Sequence, residues 1–308
     1  MKAFIKHTII LASFLFFLPS QAQQLPQFTQ YMYNTVSINP AYAGIRDRLS
    51  IVGLHRSQWL GFGGGPTTQT LSIHSPLRNE KVGLGFSLIN DQLGYENFVF
   101  MYGDFSYTIK TNETTELSFG LKGGFTAFSI DQELITAEAA DPVSAGLNNR
   151  WVPNVGAGIM LHSERWYLGL SAPRLFTNDH HNEEGYKALE RVSYYFTGGY
   201  VFDLGDGTTK LKPTYMLKAT NGAPLSHDLS ANLLFMNKWW LGAAYRFNES
   251  AGAFGAMVDY QVSDVWRIGY TYELPTADIR PYTNGTHEIL LMYEFLNNKK
   301  RVKSPRFY

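Results

Sequence analysis

The sequence predicts an all-β protein: an antiparallel transmembrane β-barrel of about fourteen strands, with an N-terminal segment that plugs or latches it. Three observations carry this expectation. Stretches of strict period two fill residues 48–295, with one face greasy and aromatic and the other small or polar. At about 9–11 residues these stretches are long enough to tilt through a bilayer, and aromatics such as Trp239, Trp240, Trp266 and Phe295 gather at their ends as an interfacial girdle does. Connection lengths alternate long and short, a habit of outer-membrane barrels for which a soluble sandwich gives no reason.

The chain opens as an export signal. Lys2 and Lys6 form a basic start, Ile9 to Leu18 is almost wholly apolar, and Ser20 and Ala22 supply small residues for cleavage after Ala22. The apolar run is shorter than the ~20 residues of a spanning helix. With no cysteine there is no lipoprotein anchor, no disulfide and no thiolate metal site. Residues 1–22 are therefore expected to be a signal peptide, 23–47 a plug or latch segment, 48–295 the barrel, and 296–308 a periplasmic tail.

Strands are expected at about 48–58, 67–75, 81–90, 98–110, 116–128, 153–163 and 165–172 in the first half. The second half alternates more cleanly. Tyr194, Phe196, Tyr200 and Phe202 face away from Tyr195 and Thr197. Lys212, Thr214, Met216 and Lys218 oppose Leu211, Pro213, Tyr215 and Leu217. Stretches 229–235, 241–247 and 254–261 follow. Trp266, Ile268, Tyr270, Tyr272 and Leu274 oppose Arg267, Gly269, Thr271 and Glu273, and the run from His287 to Phe295 ends the series. Odd-numbered connections are expected to be long and to face outward, as at 129–152, 173–191 and 275–286. Even-numbered ones are expected to be tight periplasmic turns, as at Asn112-Glu113, Asn237-Lys238 and Ser263-Asp264. Pro213 is the one hint of a break inside a strand.

Composition limits the function. The 26 basic and 26 acidic residues balance, so neither nucleic acid nor a polybasic membrane surface is implied. Charged residues are 17%, below the ~25% usual for soluble domains. No G-x-S-x-G, H-E-x-x-H or P-loop is present, and Gly61 to Pro66 reads as a hairpin loop rather than a phosphate cradle. His55, His74, His162, His227 and His287 are scattered, and the polar run Asn178 to Glu184 reads as a solvated loop. Asp131, Glu133, Glu138 and Asp141 lack calcium-loop spacing. The expectation is a protein that is not an enzyme, with no cofactor and no resident metal.

Two early blocks, QFTQYMYNTVSINPAYAG at 27–44 and HRSQWLGFGGGPTTQTLSIHSPL at 55–77, closely resemble the PorP/SprF family. VGLGFSLINDQLG (82–94), YLGLSAPRLF (167–176), LKPTYMLK (211–218) and VKSPRFY (302–308) fit too, so the resemblance spans the mature chain. It implies an integral outer-membrane barrel of the type IX secretion system without catalytic activity. Its partner would be a large secreted adhesin, gliding adhesins among them, engaged through the C-terminal sorting domain and helped to reach or stay on the cell surface. Periplasmic or outer-membrane components of the secretion machine are further implied partners, beside the lipid bilayer. Arg56, Gln58, Trp59 and Pro66 of the second block are the expected rim and first-hairpin motif.

The first block has a physical reading of its own. A barrel of about fourteen strands has a lumen too wide for short side chains to fill. Gly120, Gly124, Gly156, Gly158, Gly199, Gly242 and Gly269 phase inward and leave space. Residues 23–47 are expected to fold back into that space, with Tyr31, Met32, Tyr33, Ile38, Pro40 and Tyr42 packing and Asn39-Pro40 turning. Tyr31, Tyr33, Asn39, Pro40 and Tyr42 are the plug and partner-binding candidates. The alternative function is a plugged outer-membrane transporter for a hydrophobic small molecule, which would show an apolar lumen pocket and a lateral opening.

Overall fold

The computed structural model describes residues 27–78, 80–130, 150–179, 189–205, 208–249 and 251–295. The signal peptide with its cleavage site, the tail 296–308, the fifth connection from 131 to 149 and residues 180–188 of the seventh lie outside the described residues.

Fourteen strands form the wall: β1 (Ser50–Ser57), β2 (Thr67–Pro76), β3 (Val82–Leu93), β4 (Glu96–Lys110), β5 (Thr115–Ile130), β6 (Arg150–Ser163), β7 (Trp166–Ala172), β8 (Ser193–Tyr200, resumed at Phe202–Asp203), β9 (Lys210–Thr220), β10 (Ser226–Phe235), β11 (Trp239–Phe247), β12 (Gly252–Gln261), β13 (Trp266–Pro275) and β14 (Thr286–Glu294). Each pairs antiparallel with its neighbours in sequence, and β1 pairs β14 from Ser50↔Glu294 to Ser57↔His287. That last ladder closes the sheet and removes its edges. A two-residue ribbon, Asn178–Asp179 with Leu189–Glu190, stands apart. No helix among the described residues is long and apolar enough to cross a membrane.

Period two decides which side chain faces where. In β14, Glu288, Leu290, Met292 and Glu294 are buried while Ile289 and Leu291 are exposed. In β13, Arg267, Thr271 and Glu273 are buried between exposed Trp266, Ile268 and Tyr270. The outer surface carries Leu121 at 62%, Leu170 at 57% and Phe254 at 58% exposure. A surface this apolar suits lipid and would aggregate in water. Most charged residues of the strands, such as Arg56, Lys122, Arg267 and Glu288, are buried inside.

The even-numbered turns are short, as at 164–165, 236–238 and 262–265. The odd-numbered end is mixed. Connections 58–66 and 276–285 are long, but the third is only Gly94-Tyr95. β3 and β4 extend past their expected ends to Leu93 and Glu96, because Gly94 takes the positive φ of 57° that a two-residue hairpin favours. Pro213 does not break its strand. The β8–β9 ladder pauses after Gly199↔Thr214 and resumes at Phe202↔Leu211 in unchanged register, since proline has no amide hydrogen to donate there.

Candidate functional site

The barrel interior is occupied by the chain's own residues 27–48, of which all but Gln27 and Asp47 are buried. The segment runs the length of the lumen. The Thr29 and Gln30 amides donate to Glu288, near the long-connection end of β14 (2.8 and 3.1 Å). Gly44 N donates to His74 Nδ1 near the short-turn end of β2 (3.2 Å), and Ser50 then enters β1.

Local chemistry shapes this path. One helical turn spans Thr35–Ile38. Asn39 follows in extended conformation, and its Oδ1 accepts from Ala41 N at 3.0 Å, capping the 3₁₀ turn Pro40–Tyr42. Pro40 begins that turn, where a missing amide hydrogen costs nothing. Gly44, at φ 78°, swings the chain toward β1. The glycines expected to face inward include those on which the segment sits. A Cβ on Gly120 would lie 2.0 Å from Ala41 N, and one on Gly158 would lie 2.1 Å from Asn39 Oδ1. A side chain at either place excludes the segment from its present seat.

Apolar packing is divided between two clusters. Phe28, Tyr31, Met32, Tyr33 and Ile38 pack on inward residues including Leu54, Tyr195, Met216, Met257 and Leu290. Val36, Ala41, Tyr42, Ala43 and Ile45 pack with Met160 and Tyr167. Polar ties reach the wall on every side. Tyr31 OH donates to Thr214 (2.9 Å), Asn34 Nδ2 to Thr70 (2.8 Å) and Asn39 Nδ2 to Ile159 O (3.3 Å). From the wall, Ser106 donates to Ala43 O (2.6 Å) and Ser171 to Ile38 O (2.8 Å).

The electrostatics are those of a closed network. Near the long-connection end, Arg56 pairs with Glu288 and, at 2.7 Å, with Glu273. Arg246 pairs with Asp228 at 2.7 Å and approaches Glu273 at 3.7 Å. The N-terminal segment joins this group: Gln27 donates to Asp228, and Thr29 Oγ1 to Glu273. Deeper in, Tyr33 OH donates to Asp259 at 2.8 Å, and the Arg267 guanidinium stacks over the Tyr33 ring at 5.1 Å. On the opposite wall Lys122 pairs with Asp104 at 2.8 Å and donates to Val36 O at 3.2 Å. At the short-turn end Arg46 meets Glu294 at 2.6 Å, with Arg48 at 3.7 Å.

The sequence candidates therefore separate into two places. Tyr31, Tyr33, Asn39, Pro40 and Tyr42 are all buried in the lumen. Arg56 points into the same lumen from β1, whereas Gln58, Trp59 and Pro66 belong to the first connection. There Gln58 N donates to Pro66 O (2.8 Å), Trp59 has a φ of 55°, and Leu60 N donates to Gly285 O (2.8 Å), joining the first and thirteenth connections. Sequence reasoning missed Thr29, Gln30 and Arg46. They are polar residues in a segment read for its aromatics, and only closure of the sheet shows that Glu273, Glu288 and Glu294 stand opposite them. Among the described residues no group of three or more His, Cys, Asp or Glu is placed to hold a metal ion. His227 and His287 instead bond Tyr215 and Tyr270 on the outer surface.

The family model described as "Type IX secretion system membrane protein PorP/SprF" matches residues 20–293. A search among curated proteins finds no match. Among solved structures, the monoaromatic hydrocarbon channel CymD is similar over 89% of this chain and 94% of its own, at 11% identity and a TM-score of 0.53. The outer membrane protein Omp33 of Acinetobacter baumannii is similar over 82% of this chain and all of its own, at 9% identity and a TM-score of 0.47. At these identities the likeness to CymD is one of fold: an outer-membrane barrel.

Proposed function

Because the chain belongs to the PorP/SprF family of type IX secretion system membrane proteins, we propose that it binds the C-terminal sorting domain of a cognate large secreted adhesin. It would thereby help that adhesin to be exported or held at the cell surface. The family and fold are those of a non-enzymatic integral outer-membrane barrel. The observation that supports a docking role over a conducting one is the lumen. Residues 27–48 lie in it, tied to wall residues by hydrogen bonds and a buried ion pair, which is the arrangement a plug would have. A client would engage the long-connection end. The outward connections expected within 129–152 and 173–191 would take part, and the joined connections 58–66 and 276–285 add exposed Leu60, Phe62 and Tyr282 to that end. Extended client segments are suited to such a rim through backbone pairing and aromatic contacts.

The second reading, a plugged transporter for a hydrophobic small molecule, needs an apolar route through the lumen. The ionic belt Arg56–Glu288–Glu273–Arg246–Asp228 opposes it. Surface proteomics of cells lacking this barrel tests the proposal. One large surface protein should fall at least tenfold on the cell surface and reappear in the medium or periplasm, and re-expression should restore it. An unchanged surface proteome, together with impaired uptake of an apolar compound, would replace the docking role with transport.

A further inference from the structure

β7 is the shortest strand of the wall, at seven residues, and its ladder to β8 ends at Ser171↔Tyr195. Above that pair the two neighbours part. The chain after β7 turns inward, so that Pro173 and Arg174 are buried and Arg174 lies 4.2 Å over the Phe100 ring. β8 instead stays beside β9 up to Ser193↔Thr220. The wall thus forks in its long-connection half.

An outward groove of about 600 Å³ occupies the fork, floored by Ala157, Ala172 and Ala219 and flanked by Leu170 and Tyr194. It does not open into the lumen, because the N-terminal segment stands directly behind it. Ser171 Oγ donates to Ile38 O at 2.8 Å, and Asn39 Oδ1 fills the space at Gly158. Above the groove, a more polar recess of about 480 Å³ shares Tyr194 and Ala219 and adds Arg191 and Thr220. Arg191 is held in place there. Its Nη1 donates to Asn221 O at 2.9 Å and lies so close to Gly222 that a Cβ would be 1.9 Å away.

Position decides the occupant. A groove lined by alanine, leucine and aromatic carbon on the lipid face of a barrel holds acyl chain, since an apolar recess does not retain water. A guanidinium held at the polar end of the groove suits a phosphate. The long connections mark the outer leaflet, where the phosphorylated, multiply acylated lipid of an outer membrane is the lipid A of lipopolysaccharide. We propose that the β7–β8 fork is a lipid A site, with one acyl chain along the alanine floor and a phosphate on Arg191.

The test is lipid carried through purification. Wild type, Arg191→Glu and Ala219→Trp would be extracted in mild detergent and washed, and bound lipid A counted by native mass spectrometry. Arg165→Glu, at the opposite rim, serves as control. Heat-dependent gel mobility certifies that each barrel is folded, and Ala157→Leu stands in for any variant that is not. Wild type and the control should retain lipid A in roughly one-to-one amount, with retention at least tenfold lower when the guanidinium is reversed or the floor is filled. Equal retention in all variants, meaning annular lipid only, or selective retention of a glycerophospholipid in place of lipid A, would overturn the assignment. Neither readout depends on the adhesin.

Discussion

Deleting residues 27–46, with the export signal joined to Asp47, is expected to turn a silent barrel into a conducting pore. A fourteen-stranded wall encloses more space than its own inward side chains fill, and here the sequence has removed side chains where the segment passes. Gly83, Gly120 and Gly158 lie against Ala43, Ala41 and Asn39 so closely that a Cβ would meet backbone or amide atoms at 2.0–2.1 Å. Taking the segment away leaves those surfaces bare and strands Asp259 without Tyr33 and Gln30, and Glu294 without Arg46. Buried carboxylates that lose partners draw in water. Planar-bilayer recordings would read the outcome. The intact protein should show no steady conductance, and the deletion variant should show stepwise openings. Equal conductance from both would mean that the N-terminal segment does not seal the barrel.

Arg56→Ala should be the most destabilising single substitution in the wall. Arg56 is 3% exposed and lies between Glu288 and Glu273, themselves all but fully buried. Removing the cation leaves two carboxylates facing each other across adjacent strands, with the Thr29 and Gln30 donors and the more distant Arg246 as remaining support. Breaking a buried pair from one side costs about 3–5 kcal/mol, far more than the pair's net worth. Urea unfolding in detergent, followed by gel mobility, should therefore show a clear drop in midpoint. Arg56→Met combined with Glu288→Leu should recover part of it, because the stranded charge goes with the cation. Arg165→Ala, which breaks the exposed pair with Asp203, should leave the midpoint unmoved. If Arg56→Ala behaved like Arg165→Ala, the lumen would be wetter and looser than the hydrogen bonds imply.

Much of the fold was legible because period two leaves little choice. Once Trp266, Ile268 and Tyr270 face lipid, Arg267, Gly269 and Thr271 must face the lumen. The inward charges could be read for the same reason, since a lipid-facing position is costly for Arg246 or Glu273. Their partners could not be read. Arg56 and Glu288 stand 232 positions apart in sequence and meet only because β1 closes on β14. The opening segment was legible as something other than a strand, from Asn39-Pro40 and its crowd of aromatics. Its direction was not, because the residues that fix it are ordinary polar ones: Thr29 and Gln30 at Glu288, and Gly44 at His74. The fork at β7 gave no warning either. Serine and alanine at 171 and 172 are unremarkable in a strand, and only the inward turn at Pro173-Arg174 ends the ladder. Pro213, which did look like a warning, removes hydrogen bonding on one side while the register persists.

The central claim is that this closed barrel is a docking partner in type IX secretion. The most direct measurement is to purify it, after mild cross-linking, from its native cells in detergent and to identify what comes with it by quantitative mass spectrometry. The account predicts one large surface protein carrying a type IX sorting domain, in roughly stoichiometric amount. Recovery of the barrel alone, or with an apolar small molecule inside it and no protein client, would contradict the account.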